Sequence, residues 1–367
     1  MKILITNINM CGYNGTTMYA KELAESLIKK GNEVAIYTKK IGEIGVELIK
    51  KGIEVTTRLK TITFKPDIIH AHHNVTTFDV LFFYKKVPVI FWIHDRITQY
   101  DYPPFHKNII KYMSVDYNCK DRYKEDSGFL TTDSEVLYNW VNLERFKLKK
   151  RINKTPKKAL VFSNYASTDS YLDNIRKACN ACNIELSIIG AKSGNIILKP
   201  ENHLSEYDLI FAKAKAAMES IATGSGVIVF DFVGLAGMVT SENYASYRRL
   251  NFGRKLMVNN ASEENFINEI KKYNADDISI VSKKIRKEVD INIAINQLLD
   301  IYRKSIIDHK KGHVGKYSFR LTNFLHIKLI TFYFRMLQIT PRYLKDIILF
   351  LISSINKSFN KKKNFVK

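Results

Sequence analysis

The stretch from Asp208 to Asp231, DLIFAKAKAAMESIATGSGVIVFD, leaves a chain little freedom in what it can build. Leu209–Phe211 is a short apolar run with strand character. Ala212–Thr223 is rich in Ala, Lys, Met and Glu, the strong helix formers. Gly224 stands where a helix ends in a left-handed residue, and Val227–Phe230 is a second apolar run ending at Asp231. A strand, a helix and a strand so closely spaced predict a parallel βαβ unit, since parallel strands need a crossover. Ligands of such sheets bind beyond the carboxyl ends of the strands, where the helices begin. Lys213 and Lys215 fall in that first turn and Glu219 further along the same helix, so the ligand is expected there.

The amino-terminal stretch opens the same way. Lys2–Asn9 reads as a strand, and the loop after it carries Gly12 and Gly15. A helix then runs to about Lys30 with Leu23, Ala24, Leu27 and Ile28 on one face, and Glu33–Thr38 is the next strand. The glycine spacing is G-x-x-G, so the dinucleotide fingerprint G-x-G-x-x-G is not met. The loop is either a tight strand-to-helix turn or a place where a substrate approaches the backbone. At 367 residues the chain has room for two such domains, and 46% hydrophobic residues is a globular composition. The Cys residues at 11, 119, 179 and 182 form no disulfide framework, and Met1 runs directly into a strand with no secretory leader. A reducing cytoplasm is the expected compartment. Cys179 and Cys182 make a CxxC without a second pair or a suitable His, and read as small residues on an amphipathic helix.

Three histidines, His70, His72 and His73, cluster at the end of a predicted strand starting at Asp67. No acidic or Cys ligand accompanies them, and a structural or substrate-facing role is preferred to a metal; no metal ligand is assigned. Val87–Ile93 is a strongly apolar strand ending in Trp92-Ile93-His94-Asp95-Arg96. His94 and Asp95 therefore fall on the edge where ligands of parallel sheets bind. Asp95 is either an acceptor-orienting base or a partner of Arg96. An aromatic, proline-bearing loop follows at 97–104, and Phe129–Thr132 reads as another strand. Lys147–Lys158 is basic and lacks an apolar face, which marks an interdomain linker. Ala159–Ser163 restarts the pattern as a strand, with a helix from about Asp169 to Asn183 and a strand at Ile184–Ile189. Gly234 and Gly237 suggest an open loop after Asp231, and Arg248 and Arg249 are candidate phosphate or acceptor contacts. Amphipathic helices are predicted at Ser262–Lys272 and Ser282–Lys304.

Several of these phrases resemble those of GT-B nucleotide-sugar glycosyltransferases, in particular the retaining group called family 4. The phrases are Glu219-Ser-Ile-Ala-Thr-Gly224 followed by Val227–Asp231, the run Asn139 to Arg145-Phe146, Pro66-Asp67-Ile-Ile-His70, and Gly31-Asn32-Glu33-Val34. The resemblance covers about 1–307. It implies an α/β fold of two Rossmann-like domains facing a cleft: 1–146 on the acceptor side, a linker at 147–158, a donor-binding domain at 159–287 and a crossover helix at 288–307. It implies transfer of a sugar from a nucleoside diphosphate sugar to a hydroxyl acceptor, with retention and without an essential metal or other cofactor. Glu219 is then the residue for the ribose hydroxyls and His94 the one facing the transferred sugar. The position eight before Glu219, often a second glutamate, is Phe211 here. The loop after Phe162 lacks the usual cations, so charge for the diphosphate is expected from Lys213, Lys215 or Lys192, with Asn164 and Gly234 lining the donor side. A nucleotide-sugar epimerase of the same fold is the enzyme alternative, and a non-enzymatic membrane- or nucleic-acid-binding protein the other.

The tail at 308–367 lies outside the resemblance. From His309 onward there are thirteen Lys and Arg against one acid, Asp346, a net +12 out of +22 for the chain. Phe324–Ile339 is apolar but interrupted by Lys328 and Arg335, and the longest uncharged run in the helix that follows, Ile347–Asn356, is ten residues, too short to span a bilayer, which needs about 20 apolar residues. Basic amphipathic helices lying on an anionic membrane are the expectation, at the cytoplasmic face, with a cell-surface glycan or lipid-linked acceptor.

Overall fold

The computed structural model describes residues 1–127, 134–164, 170–190, 193–195, 197 and 199–315, together with 324, 325, 328, 329 and 332. The first lobe is built on β1 (Lys2–Asn7), α1 (Gly15–Lys29), β2 (Glu33–Thr38), α2 (Glu43–Lys50), β3 (Glu54–Thr56), β4 (Ile68–His72), α3 (Asn74–Phe83), β5 (Val89–Ile93), β6 (Ile109–Ser114), α4 (Tyr117–Ser127) and β7 (Glu135–Val136). Its sheet is parallel in the order β3-β2-β1-β4-β5-β6-β7. The order reverses between β1 and β4, which opens a crevice beyond their carboxyl ends. β4 and β5 are buried along their whole length, as apolar runs in a sheet covered on both faces should be. The strand expected at Phe129–Thr132 falls outside the described residues.

The second lobe comprises β8 (Lys158–Phe162), α5 (Ser170–Ala181), β9 (Glu185–Ile189), β10 (Leu209–Ala212), α6 (Ala214–Ala222), β11 (Gly226–Asp231), β12 (Gly234–Met238), α7 (Tyr244–Arg249), α8 (Glu263–Ile270) and α9 (Ala275–Glu288). The sheet order is β12-β11-β10-β8-β9, with its own reversal between β8 and β10. The βαβ unit read from 208–231 is present as β10, α6 and β11, with Leu209 beside Gly226 and Ala212 beside Val229. The open loop expected at Gly234 and Gly237 is instead strand β12, antiparallel to β11. A tight hairpin pairs Asp231 with Gly234, and Gly234 takes φ +151°, which only glycine tolerates easily.

The long helix expected at Ser282–Lys304 breaks at Val289–Asp290 into α9 and α10 (Ile291–Lys310). Val141 N–H donates to Val289 O at 2.7 Å and Ile291 N–H to Val141 O at 3.2 Å, while the Asp290 side chain caps α10 by accepting from Asn292 N–H at 2.8 Å. This break lets α10 leave the second lobe. Its Ile291, Ile295, Leu298, Leu299 and Tyr302 join the core of the first lobe. Among the described residues no helix is long and apolar enough to cross a membrane. The tail helices expected near Phe324–Ile339 and up to about Lys357 lie outside the described residues, apart from the few named above.

Candidate functional site

In the second lobe, β10 hands over to α6 through Lys213 and Ala214. Ala214 holds φ +49°, and its N–H donates to Phe252 O at 2.9 Å. A non-glycine residue in this region costs about 1–2 kcal/mol, so the turn is held against its own preference. Lys213 is ion-paired to Asp231, the buried last residue of β11. Arg254 Nε meets the same carboxylate oxygen at 2.7 Å. Two cations on one carboxylate leave a net positive edge where the helices begin. Both lie over the exposed ring of Phe232, Arg254 at 4.6 Å and Lys213 at 5.9 Å from its centroid. Burial pulls the Lys213 ammonium below its ordinary pKa, opposed by Asp231 and by Asp95 of the other lobe. The Asp95 carboxylate of the first lobe is thus near enough for its charge to reach Lys213. Gly190, at the end of β9, has no room for a Cβ because the Ser163 carbonyl occupies that space. Asn164 Nδ2 then donates to Tyr13 O of the first lobe at 3.1 Å.

In the first lobe, His70 and His72 are two apart on β4 and so share a face. Their Nε2 atoms are 2.6 Å apart, and His70 Nδ1 is bonded to the hydroxyl of Tyr302 on α10. His70 stacks on Trp92 with centroids 4.3 Å apart. The rings of Tyr19, His72 and His94 form a triangle, with centroid separations of 5.2, 4.7 and 4.6 Å. Each carries a buried polar atom without a hydrogen-bond partner: Tyr19 OH, His72 Nδ1 and His94 Nε2. Burial lowers His70 to about 3 and His73 to about 4, and takes His72 and His94 well below the usual imidazole range. All four rings are uncharged at neutral pH. His73 has φ +60° and its Nδ1 accepts from Ile8 N–H at 3.1 Å, tying the loop after β4 to the loop after β1.

The loop carrying His94 and Asp95 is fixed from beneath. Asp101, fully buried, accepts from His94 N–H at 2.9 Å and Asp95 N–H at 2.6 Å. Burial raises Asp101 to about 7, opposed by Arg122. Arg122 Nη1 in turn donates to Asp95 O at 2.8 Å and Thr98 O at 2.6 Å. Asp95 caps its own turn, accepting from Ile97 and Thr98 N–H at 2.5 and 2.9 Å. Arg96 pairs with Glu125 at 2.8 Å rather than with Asp95. Gly12 sits at φ +68° with its N–H on Glu43 Oε1 at 2.5 Å. Gly15 opens α1 behind the cap Asn14, which accepts from Thr17 N–H at 3.0 Å. A Cβ at Gly15 would meet nothing within 4 Å, so sterics do not demand glycine there.

A charged seam joins the lobes. Glu22 of α1, buried, takes an ion pair from Lys215 of α6, a bond from Trp140 Nε1 at 3.1 Å and one from Arg145 Nη1 at 3.2 Å. Arg145 also grips Glu201 at 3.1 and 2.9 Å. Glu219 lies one helical turn beyond Lys215, buried at this seam. Burial pushes it up to about 8, with Lys215 opposing and Glu22 adding to the rise. Two carboxylates and two cations already balance, so Glu219 is protonated at neutral pH. Arg248 is buried here too, donating to Asn139 O at 3.0 Å with its guanidinium 4.5 Å over Tyr138, and Arg249 stacks 3.6 Å over Tyr117.

Of the residues singled out in the sequence, His94 and Asp95 stand at the end of β5, Lys213 at the start of α6 within reach of the Asp95 charge, Asn164 after β8 bonded across to Tyr13, and Lys215 and Glu219 in the charged seam between the lobes. Gly234 is in the hairpin at β12, and Lys192 lies outside the described residues. Sequence reading missed Glu22, Arg254, Tyr19 and Tyr302, and took Asp101 for a residue of an acceptor-side loop where the structure buries it beneath His94 and Asp95. For Glu22, Tyr19 and Tyr302 the signal was a charge or hydroxyl on an otherwise apolar helix face, which does not name the partner, and Arg254, in a short turn, gave none. Among the described residues no group of His, Cys, Asp and Glu is arranged to hold a metal ion.

No family model matches the chain, and no curated protein matches it. Solved structures do. Alr3699/HepE from Anabaena in complex with UDP and glucose is 11% identical with a TM-score of 0.59, over 83% of this chain and 100% of that one. The same protein in complex with UDP gives a TM-score of 0.61 at 11% identity over the same shares. A glycosyltransferase from Rickettsia africae ESF-5 gives 0.62 at 13% identity, over 83% of this chain and 98% of that one. At such identities the likeness is one of fold, and the fold is GT-B: two Rossmann-like lobes and a helix that returns to the first.

Proposed function

We propose that this protein is an enzyme, a glycosyltransferase that moves a sugar from a nucleoside diphosphate sugar to a hydroxyl acceptor in the cleft between its lobes. The observation that carries the reading is the opposition of two unlike sheet ends. Lys213 and Arg254 crowd one carboxylate at the end of β11, and the charge of Asp95, beside His94 at the end of β5 in the other lobe, reaches Lys213. Breaking the bond from sugar to diphosphate builds negative charge on the leaving group, and preorganised cations stabilise that charge in the transition state. An uncharged imidazole at His94 suits the sugar side, where a hydrogen bond to a hydroxyl is wanted and a positive charge is not.

In this reading the donor's ribose meets the Glu219 carboxyl, and Lys215 exchanges Glu22 for a donor phosphate as the lobes adjust. Asn164 and the turn at Ala214 border the diphosphate. The reaction uses no cofactor besides the donor, and family-4-like retention at the anomeric carbon is the expected stereochemistry. The basic tail places the enzyme on a membrane surface on the cytoplasmic side, where a glycan or lipid-linked saccharide is the acceptor.

A thermal-shift screen against nucleoside diphosphates and their sugars tests this directly, because a ligand of the native state raises the melting point by mass action. At least one nucleoside diphosphate should do so, and Lys213→Ala and Glu219→Ala should lose the shift while still melting cooperatively. A panel that moves no melting point, at concentrations well above ordinary donor affinities, would sink the proposal.

A further inference from the structure

The flank of the first lobe carries a surface that the cleft chemistry does not use. A concavity of about 530 Å³ opens beside α3, lined by Arg58, Lys60, Asp79, Phe82 and Phe83 among others. Asp79 is already engaged, by Lys39 at 2.5 Å and by the Tyr37 hydroxyl at 3.0 Å. The exposed side chains of Arg58 and Lys60 therefore set the sign of the site. Phe83 is 50% exposed at its rim, a large apolar group in water beside two cations.

The tail meets this flank. Phe324 packs edge-on against Phe78 and Phe82, with centroids 5.2 and 5.5 Å apart. Lys328 lies 5.4 Å over the Phe324 ring. Leu325, Leu329 and Phe332 each have helical backbone and are spaced four and three apart, the spacing of one helical face. Leu329 is 67% and Phe332 63% exposed. Exposed aromatic and aliphatic groups gathered in one place mark an interaction surface. The exposed cations around them, Arg58, Lys60, Lys85, Lys86 and Lys328, call for an anionic partner with an apolar interior.

We propose that this composite face, made of the end of α3, the Arg58–Lys60 turn and the tail residues Phe324, Leu325, Lys328, Leu329 and Phe332, docks on an anionic lipid bilayer. The concavity takes a lipid phosphate against Arg58 and Lys60, and Phe83, Leu329 and Phe332 enter the acyl boundary. The proposal rests on the membrane reading of the tail given above and adds the part of the folded lobe that shares the contact. Its consequence for the enzyme is geometric. α3 spans ten residues from Asn74, beside His73 at the cleft, to Phe83 at the docking face. That is about 15 Å of helix, which sets how far a lipid-linked acceptor must reach from the bilayer.

The test is co-sedimentation of the full chain with vesicles of phosphatidylcholine, with and without phosphatidylglycerol. The parent chain should partition onto the anionic vesicles. Arg58→Ala/Lys60→Ala in the full chain should lose about 30-fold in partitioning, from roughly 1 kcal/mol per basic residue at the surface. Phe83→Ser should weaken binding too, and both variants should melt like the parent. If Arg58→Ala/Lys60→Ala partitions as well as the parent while Leu329→Glu/Phe332→Glu is lost to the supernatant, the tail anchors alone and the docking face is overturned. If the parent ignores anionic vesicles, the face and the membrane reading beneath it both fall, while sugar transfer assayed with a soluble acceptor stands or falls on its own.

Discussion

Two polar clusters lie close to the cleft and solve the problem of burial in opposite ways. Beneath the first lobe's sheet edge, His70, His72, His73 and His94 give up their charge and are packed among aromatic rings. In the seam, Glu22, Lys215, Arg145 and Glu201 keep theirs and cancel it in pairs, while the fifth group, Glu219, holds its proton. Neutral imidazoles survive removal from water because they can be uncharged at little cost near neutral pH. Carboxylates and ammonium groups cannot, and need partners. The lesson is that one cluster answers to acid and the other to the loss of a partner or of the Glu219 proton.

Acidification should bring the largest effect, and it should fall on the first cluster. His70 and His73 have folded pKa values of about 3 and 4, below that of the unfolded chain near 6.5. The unfolded state then binds more protons, so stability is lost as pH falls through 6.5 and continues to fall until the folded values are reached. At pH 5 each of the two should cost about 2 kcal/mol, read as a lower urea midpoint than at pH 7.5. A midpoint that does not move would mean the imidazoles are solvated and the contrast is false.

Next in size is a change that strikes the seam alone. Glu22→Gln leaves Lys215 and Arg145 without their shared carboxylate and should cost about 3–5 kcal/mol in chemical denaturation. Glu22→Gln/Lys215→Met should recover much of it, since two neutral groups replace the pair. Equal losses in the single and double variants would show that packing, not charge, holds the lobes. Glu219→Gln sharpens the same point with pH. The folded value of about 8 lies above that of an ordinary carboxyl, so the parent loses stability as pH rises from the unfolded value through 8. The variant does not, and the gap between them should widen by about 3 kcal/mol from pH 5 to pH 8.

Two smaller effects follow. Tyr302→Phe removes the hydroxyl on His70 Nδ1 without opening a cavity, and should cost about 1–3 kcal/mol in unfolding free energy, as a buried nitrogen is left unpaired. Ala214→Gly should gain about 1 kcal/mol by relieving φ +49°, measured as a raised melting point. A loss there would mean that the entropy of the unfolded glycine outweighs the strain.

The parts of this picture that were legible in the sequence are those that depend on near neighbours. Residues 208–231 announce β10, α6 and β11 because helix formers stand between two apolar runs, and His94 is found because it ends one. What the sequence hid are meetings between distant elements. Glu22 is one polar residue on α1, and nothing local tells it from a solvated one, yet it meets Lys215 and Arg145 from the far side of the chain. Periodicity reports that a face is covered, not by what. Gly234 misled for a different reason: two glycines close together read as a slack loop, whereas backbone pairing of β11 with β12 makes them a hairpin.

The return of α10 has a bearing on how the molecule is made. The first lobe's core is not complete until Ile291 to Tyr302 have joined it, and those residues leave the ribosome only after the whole second lobe. Synthesis ordinarily lets amino-terminal units fold first. Here the earliest-made half must wait for the latest-made helix before His70 gains its hydroxyl partner, so the two halves reach maturity together.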